Sequence, residues 1–323
     1  MTYLPAPSQI HQKIKTPVAV FDFIEQTQKA ICAVLKKEDS RKILIVGPCS
    51  IHNLEKDYEY ATHLKKIASQ IEDKAIVIMR AHVEKPRTKQ GWKGFLYDPY
   101  LDSSNQMLEG IKQTRAFLIE LALLGLPASM EILDPFAYKY YEDLLSYATI
   151  GARTCTSQIH RQIASDLIIP VGIKNSIDGN IEAAIHGICF AREPQTFLSF
   201  DQEASPSVHT SLGNPLTHLI LRGGNKGPNF NKVKEAQILL EKNHIVSPIL
   251  IDCSHGNKIG NSQKEAFECA INSPEVAGLM LESYLKEGVG NMSQKERSVT
   301  DYCIGIEKTK EWLQNSLIGL NHI

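Results

Sequence analysis

No Cys-x-x-Cys pair occurs among the seven cysteines, Cys32, Cys49, Cys155, Cys189, Cys253, Cys269 and Cys303, and their number is odd. A chain of 323 residues can build a core without staples, so the pattern predicts reduced thiols rather than a disulfide framework. No apolar run approaches the roughly 18 residues of a membrane span. The first 17 residues are rich in Pro, Ser and Gln and lack the apolar stretch of a secretory signal. A cytoplasmic protein that does not engage membranes is expected. The formal net charge is −1, which excludes a general electrostatic pull toward nucleic acid. Any strongly cationic site must therefore be local. Neither a GxxxxGKS/T nor a GxGxxG loop is present. The glycine-rich LRGGNKGPNF (221–230) matches neither and predicts only close approach of backbone to a ligand or partner.

What is present is a repeating unit. Short runs rich in Val, Ile and Leu are each followed by a loop and a longer helical pattern, the βα signature of a parallel sheet. The runs cover 43–47, 75–80, 126–132, 149–153, 169–174, 217–222, 248–252 and 276–282. A ninth candidate, 196–200, is followed by 208–211 across a polar turn with no helix between them, so it reads as a hairpin inserted between the fifth and sixth strands. A single α/β barrel typically occupies about 250 residues. The length thus fits a (β/α)8 TIM barrel over 40–323, with the hairpin near 196–211 and an N-terminal extension over 1–39. Residues 1–17 lack periodicity and read as an extended arm. Phe21, Ile24, Ile31, Val34 and Leu35 then recur at helical spacing.

In such barrels the catalytic groups sit at the C-terminal ends of strands and in the loops that follow. Those positions hold Cys49, Arg80, Lys85, Arg87, Glu131, Arg153, Lys174, Arg222, His255 and Glu282. Six are cations, and like charges converging on one mouth of a nearly neutral protein repel unless an anion joins them. A phosphate ester carries roughly −1.5 to −2 charges at neutral pH, so two phosphorylated substrates account for the set better than one. Arginine offers phosphate a fork of donors and lysine a point charge. Cys49, His255, Glu282 and Asp301 supply a thiolate, an imidazole and two carboxylates, a donor set suited to manganese, iron, cobalt or zinc. Their spacing matches no zinc-finger pattern, and a small buried cysteine or a hydrogen-bonded loop histidine would look the same in sequence.

At these residues the chain resembles the type I 3-deoxy-D-arabino-heptulosonate 7-phosphate (DAHP) synthases, in the Iα branch typified by the enteric bacterial enzymes. The segments that carry the resemblance are GPCSIH (47–52), MR (79–80), EKPRTKQGWKG (84–94), DP (98–99), GLPASMEILD (125–134), IGARTCTSQIHR (150–161), PVGIKN (170–175), LRGG (221–224), IDCSHGN (251–257), LES (281–283) and SVTDYCIG (298–305). The resemblance implies a transferase of aromatic amino-acid biosynthesis, acting at the first step of the shikimate pathway on phosphoenolpyruvate and erythrose 4-phosphate. It implies one divalent metal per subunit on Cys49, His255, Glu282 and Asp301. Phosphoenolpyruvate would be held by Arg80, Lys85, Arg153, Lys174 and Arg222 with the backbone of Gly151 and Ala152. Erythrose 4-phosphate would meet Lys85, Pro86, Arg87, Thr88 and Asp301. Lys85 is the expected general acid, and Glu131 the group that handles the attacking water. The KPRT loop argues against the sister synthase that uses arabinose 5-phosphate. The complete set of ligands argues against a non-catalytic sugar-phosphate sensor on the same barrel.

The resemblance also implies a homodimer or homotetramer built through the N-terminal segment, and an aromatic amino-acid effector bound by that arm, the segment after the third strand and the hairpin. There this chain departs from its relatives. Ala137, Tyr138 and Lys139 stand where a Thr-Pro-Gln-type sequence is usual, Ile168 replaces a small polar residue, and Phe200 replaces a smaller aliphatic one. Added volume in a packed pocket is poorly tolerated, so altered effector specificity or lost feedback is expected.

Overall fold

The computed structural model describes residues 3–225, 227–257 and 262–318; Lys226 of the glycine-rich loop lies outside them. Two helices, α1 (Pro7–Lys13) and α2 (Val18–Leu35), precede β1 (Lys42–Gly47). Then come α3 (Leu54–Gln70), β2 (Ala75–Arg80), α4 (Met107–Leu123), β3 (Ala128–Glu131), β4 (Tyr147–Ile150), α5 (Gln158–Asp166), β5 (Val171–Lys174) and α6 (Glu182–Arg192). A hairpin, β6 (Gln195–Phe200) with β7 (Pro206–Ser211), leads into β8 (Thr217–Arg222) and α7 (Val233–Lys242). The chain closes with β9 (Ile249–Asp252), α8 (Ser262–Asn272), β10 (Val276–Tyr284), the short β11 (Ile304–Gly305) and α9 (Ile306–Ile318). The parallel order β1-β2-β3-β4-β5-β8-β9-β10 becomes a barrel because β10 pairs back onto β1, with Gly47 opposite Glu282. The inserted hairpin is antiparallel and forms a separate two-stranded sheet.

The period of two along each strand divides the apolar residues into two cores. Leu44, Val46, Val77, Met79, Leu219, Leu221, Ile249, Ile251, Leu279 and Leu281 face outward and pack with the helices. Ile43, Ile45, Ile76, Ile78, Ile220, Leu250 and Met280 fill the barrel interior, where Ile31, Val34 and Leu35 of α2 join them. The helix before the barrel is thus its floor, which explains its apolar spacing. Phe21, expected on that apolar face, lies outward instead, 47% exposed.

Two sequence expectations are corrected. The fourth strand, expected over 149–153, covers Tyr147–Ile150. Tyr147 pairs with Ser129 of β3 and its hydroxyl meets His218 Nε2 at 2.6 Å, so long-range partners draw it into the sheet. Gly151, Ala152 and Arg153 consequently lie in the loop beyond β4. The N-terminal arm is not extended throughout, because Pro7–Lys13 form α1, with proline at a first-turn position where a missing N–H costs nothing. The arm is tied down by Ser8 N donating to Gln202 O at 2.9 Å and Tyr140 Oη donating to Pro5 O at 2.8 Å. Among the described residues no helix is long and apolar enough to cross a membrane.

Candidate active site

The alternation that fills the barrel also builds the site. On β2 the interior face reads Ile76, Ile78, Arg80; on β8 it passes from Ile220 to Arg222, on β9 from Leu250 to Asp252, and on β10 from Met280 to Glu282. Each inward ladder therefore turns from apolar to charged at the C-terminal mouth. A cavity of about 680 Å3 opens there, and its wall includes all six predicted cations, Arg80, Lys85, Arg87, Arg153, Lys174 and Arg222. Pro86, Thr88, Glu131, Ala152, His255 and Asp301 also line it. Cys49, Gly151 and Glu282 stand behind that wall, buried.

The expectation that all six cations need an anion from outside is half right. Arg80 meets Glu282 at 3.3 Å, Lys174 meets Asp252 at 2.6 Å, and Lys85 lies 3.7 Å from Asp301. Among the described residues Arg87, Arg153 and Arg222 form no ion pair, so they are the cations left for ligand charge. Arg153 Nε donates to Thr88 Oγ1 at 3.3 Å, which joins the loop after β4 to the KPRT loop. Arg87 Nε donates to Trp92 O at 2.7 Å within that loop.

The four proposed metal donors approach in pairs. Cys49 Sγ is 3.2 Å from Asp301 Oδ2, and His255 Nε2 is 3.4 Å from Glu282 Oε1. Among the described residues no three His, Cys, Asp or Glu side chains form a metal-binding cluster. Two cations stand among the donors instead. Lys85 Nζ is 2.8 Å from Cys49 Sγ, and the Arg80 guanidinium donates to Cys49 O at 2.7 Å as well as meeting Glu282. Burial pushes the Cys49 thiol above its ordinary range and Glu282 adds to this, while Lys85 and Arg80 oppose it. Burial also works against the charge on Lys85, but Cys49 and Glu282 more than compensate and hold its ammonium protonated. Asp252 is fully buried, yet His255 and Lys174 keep its carboxyl well below the usual range. Its Oδ2 takes His255 Nδ1 at 2.8 Å, which aims the other ring nitrogen toward Glu282. One thiol, one imidazole oriented by a carboxylate and two further carboxylates, all at one mouth, are a donor set that fits a borderline divalent ion.

Three residues of the site were not picked out in the sequence. Asp252 ends the apolar run of β9 and orients His255. His82 and Glu84 follow β2 and line the cavity although 2% exposed each. They fall beside strand ends, and reading every second residue beyond Arg80 would have found both. Glu84 accepts from Tyr141 Oη and from Asp134 N, both at 3.0 Å, and burial, aided by the nearby Asp134 carboxylate, raises its pKa to about 8.

A family model described as the DAHP synthetase I family matches residues 20–314. The chain belongs to this family. It is 38% identical over 318 residues to a tryptophan-sensitive phospho-2-dehydro-3-deoxyheptonate aldolase of Enterobacter agglomerans, covering 94% of this chain and 91% of that protein. A tyrosine-inhibited counterpart from Schizosaccharomyces pombe is 37% identical, with 95% and 87% covered. The solved phospho-2-dehydro-3-deoxyheptonate aldolase of Francisella tularensis SCHU S4 superimposes with a TM-score of 0.95 at 34% identity, covering 99% of this chain and 98% of that one. The chain is thus a DAHP synthase-type enzyme on a TIM barrel, in a family that depends on a metal ion. Relatives of near-equal similarity bear tryptophan-sensitive, tyrosine-inhibited and phenylalanine-sensitive names.

The residues expected to bound an effector pocket differ in their packing. Phe136 and Phe200 meet edge to face at 4.9 Å between ring centroids, and Tyr138 is buried. Ile168, expected to fill the pocket, follows α5 and is 93% exposed on the single chain.

Proposed function

We propose that this cavity joins phosphoenolpyruvate to erythrose 4-phosphate and water, giving DAHP and inorganic phosphate. The observation that carries the reading is that Arg87, Arg153 and Arg222, which form no ion pair among the described residues, surround one cavity with Lys85 and Glu131. Arg153 and Arg222 suit the phosphate of phosphoenolpyruvate, with Arg80, Lys174 and the backbone of Gly151 and Ala152 beside them. Arg87 and Thr88, after Pro86, suit the phosphate of the aldose. Cys49, His255, Glu282 and Asp301 would hold a divalent ion, manganese, iron, cobalt or zinc, which when bound supplies Lewis-acid polarisation of the aldehyde.

The chain's own groups then carry the protons. The methylene carbon of phosphoenolpyruvate attacks the aldehyde carbon, and the Lys85 ammonium protonates the oxygen that becomes a hydroxyl. Water adds to the phosphate-bearing carbon, Glu131 takes its proton, and phosphate leaves with cleavage of the carbon–oxygen bond. Burial works against the Lys85 charge, but Cys49 and Glu282 outweigh it and keep the group in the charged form this role requires.

The same reading covers assembly and control. The segment over 1–39 and the hairpin would make homodimer or homotetramer contacts, since Leu198, Val208 and Leu212 are 73%, 77% and 90% exposed on the single chain. Larger side chains at Tyr138 and Phe200 would alter or abolish aromatic amino-acid control. The test is loss of phosphoenolpyruvate absorbance on adding erythrose 4-phosphate, with manganese, with chelator and with each aromatic amino acid. Consumption that needs both metal and this aldose is expected, with arabinose 5-phosphate inert. Lys85→Met should abolish turnover without loss of bound metal; normal turnover would remove Lys85 as the acid.

A further inference from the structure

His82 lies between two of the segments that carry the family resemblance, 79–80 and 84–94, and none of the roles above uses it. Its ring lines the cavity, yet the side chain is only 1% exposed. Nδ1 stands 3.7 Å from Glu131 Oε2, while Nε2 is enclosed and has no hydrogen-bond partner among the described residues. The backbone around it is fixed on both sides, by Ile51 N donating to His82 O and Ala81 N donating to Ser129 O, each at 2.9 Å. Those bonds fix the main chain from which the ring reaches Glu131.

Burial, reinforced by Arg80, Lys174 and Lys85, pushes the imidazole well below its ordinary pKa, so the ring is neutral and owns one N–H. A hydrogen on Nε2 would leave a buried donor unsatisfied, at about 1–3 kcal/mol, and would turn the Nδ1 lone pair toward a carboxylate. A hydrogen on Nδ1 avoids both, so the tautomer follows from the surroundings. The Glu131 carboxylate is also packed against Gly151. A Cβ at Gly151 would come within 2.0 Å of Glu131 Oε1, so the absence of a side chain there is what admits the carboxylate. At 3.7 Å the Nδ1–Oε2 approach is longer than a hydrogen bond, and catalytic contacts of this kind tighten when ligand binds.

We propose that His82 is a positioning residue for Glu131: its Nδ1–H holds the carboxylate against Gly151 and directed at the water that adds to the enol phosphate. This rests on the reading of Glu131 as the group that takes that water's proton. The role is distinguishable from mere packing because it belongs to one ring nitrogen. An asparagine side chain can put an N–H near the Nδ1 position, a glutamine near Nε2, and leucine supplies neither.

The test measures kcat, KM for both substrates, bound metal and melting temperature for His82→Asn, His82→Gln, His82→Leu and Glu131→Gln. Misplacing a catalytic group by about 1 Å costs on the order of 100-fold, so His82→Leu and His82→Gln should lose roughly 10- to 100-fold in kcat with little change in KM for phosphoenolpyruvate. His82→Asn should recover most of that loss. Equal kcat for the Asn and Gln variants, or kcat that simply tracks melting temperature, overturns the assignment; if the leucine variant fails to fold, the Asn–Gln comparison still decides. Normal turnover by Glu131→Gln would remove the proton-acceptor reading itself. An inactive Glu131→Gln beside an unimpaired His82→Leu would remove only the role given to His82.

Discussion

Replacing Glu84 with glutamine should stabilise the protein, and increasingly so as pH rises. The carboxyl is 2% exposed beside the Asp134 carboxylate, and its pKa stands at about 8 against an ordinary 4.5. The folded state therefore holds a proton that the unfolded chain releases above pH 4.5. Stability from this group is complete below the unfolded value and is lost as pH climbs through the folded one. At about 1.4 kcal/mol per pH unit, the loss is roughly 3 kcal/mol at pH 7 and roughly 4–5 kcal/mol above pH 8. Glutamine cannot ionise, so it removes the loss. Its amide oxygen can accept from Asp134 N while its amide nitrogen meets Tyr141 Oη, whose hydroxyl must turn and forfeit about 1 kcal/mol. The net gain is about 2 kcal/mol at pH 7 and close to zero at pH 5. Urea denaturation of both proteins at pH 5, 6, 7 and 8 reads the difference directly. A variant destabilised by the same amount at every pH would show that Glu84 is ionised in the folded protein and would refute the reasoning.

Two further outcomes follow from the packing. Gly151→Ala puts a methyl group within 2.0 Å of Glu131 Oε1; kcat should fall by about 100-fold while far-ultraviolet dichroism stays unchanged, and full activity would show that Glu131 can move without consequence. Arg115, 1% exposed on α4, donates to Ile14 O, Tyr140 O and Thr16 Oγ1 and grips both oxygens of Asp143. Arg115→Met should cost about 2–3 kcal/mol, less than a fully enclosed pair because Asp143 is partly exposed, and limited proteolysis should then cut the arm before α2.

The sequence by itself determined the barrel, because every strand had to be apolar on both faces to lie between the packed interior and the helices. It also determined the ring of charges, since Arg80, Glu131, Lys174, Arg222 and Glu282 each end such a run and the C-terminal mouth is where those runs stop. Tertiary structure decided which charges remain available. Asp252, Glu282 and Asp301 are far apart in the chain from Lys174, Arg80 and Lys85; Lys174 and Asp252 meet because β5 and β9 both flank β8, and Arg80 meets Glu282 because β10 closes the barrel onto β1. That pairing leaves Arg87, Arg153 and Arg222 without an ion pair among the described residues, the three cations proposed to meet substrate phosphate. The short α1 is not legible for a related reason: so few residues do not hold a helix alone, and contacts with Tyr140 and Gln202 hold its N-terminal end. Ile168 is the converse case, an apolar side chain that the packing of the single chain leaves 93% exposed. His82 and Glu84 look like ordinary polar loop residues in the chain. Their burial, and with it the neutral imidazole and the protonated carboxyl, comes from neighbours many tens of residues away, and desolvation is a property of those neighbours.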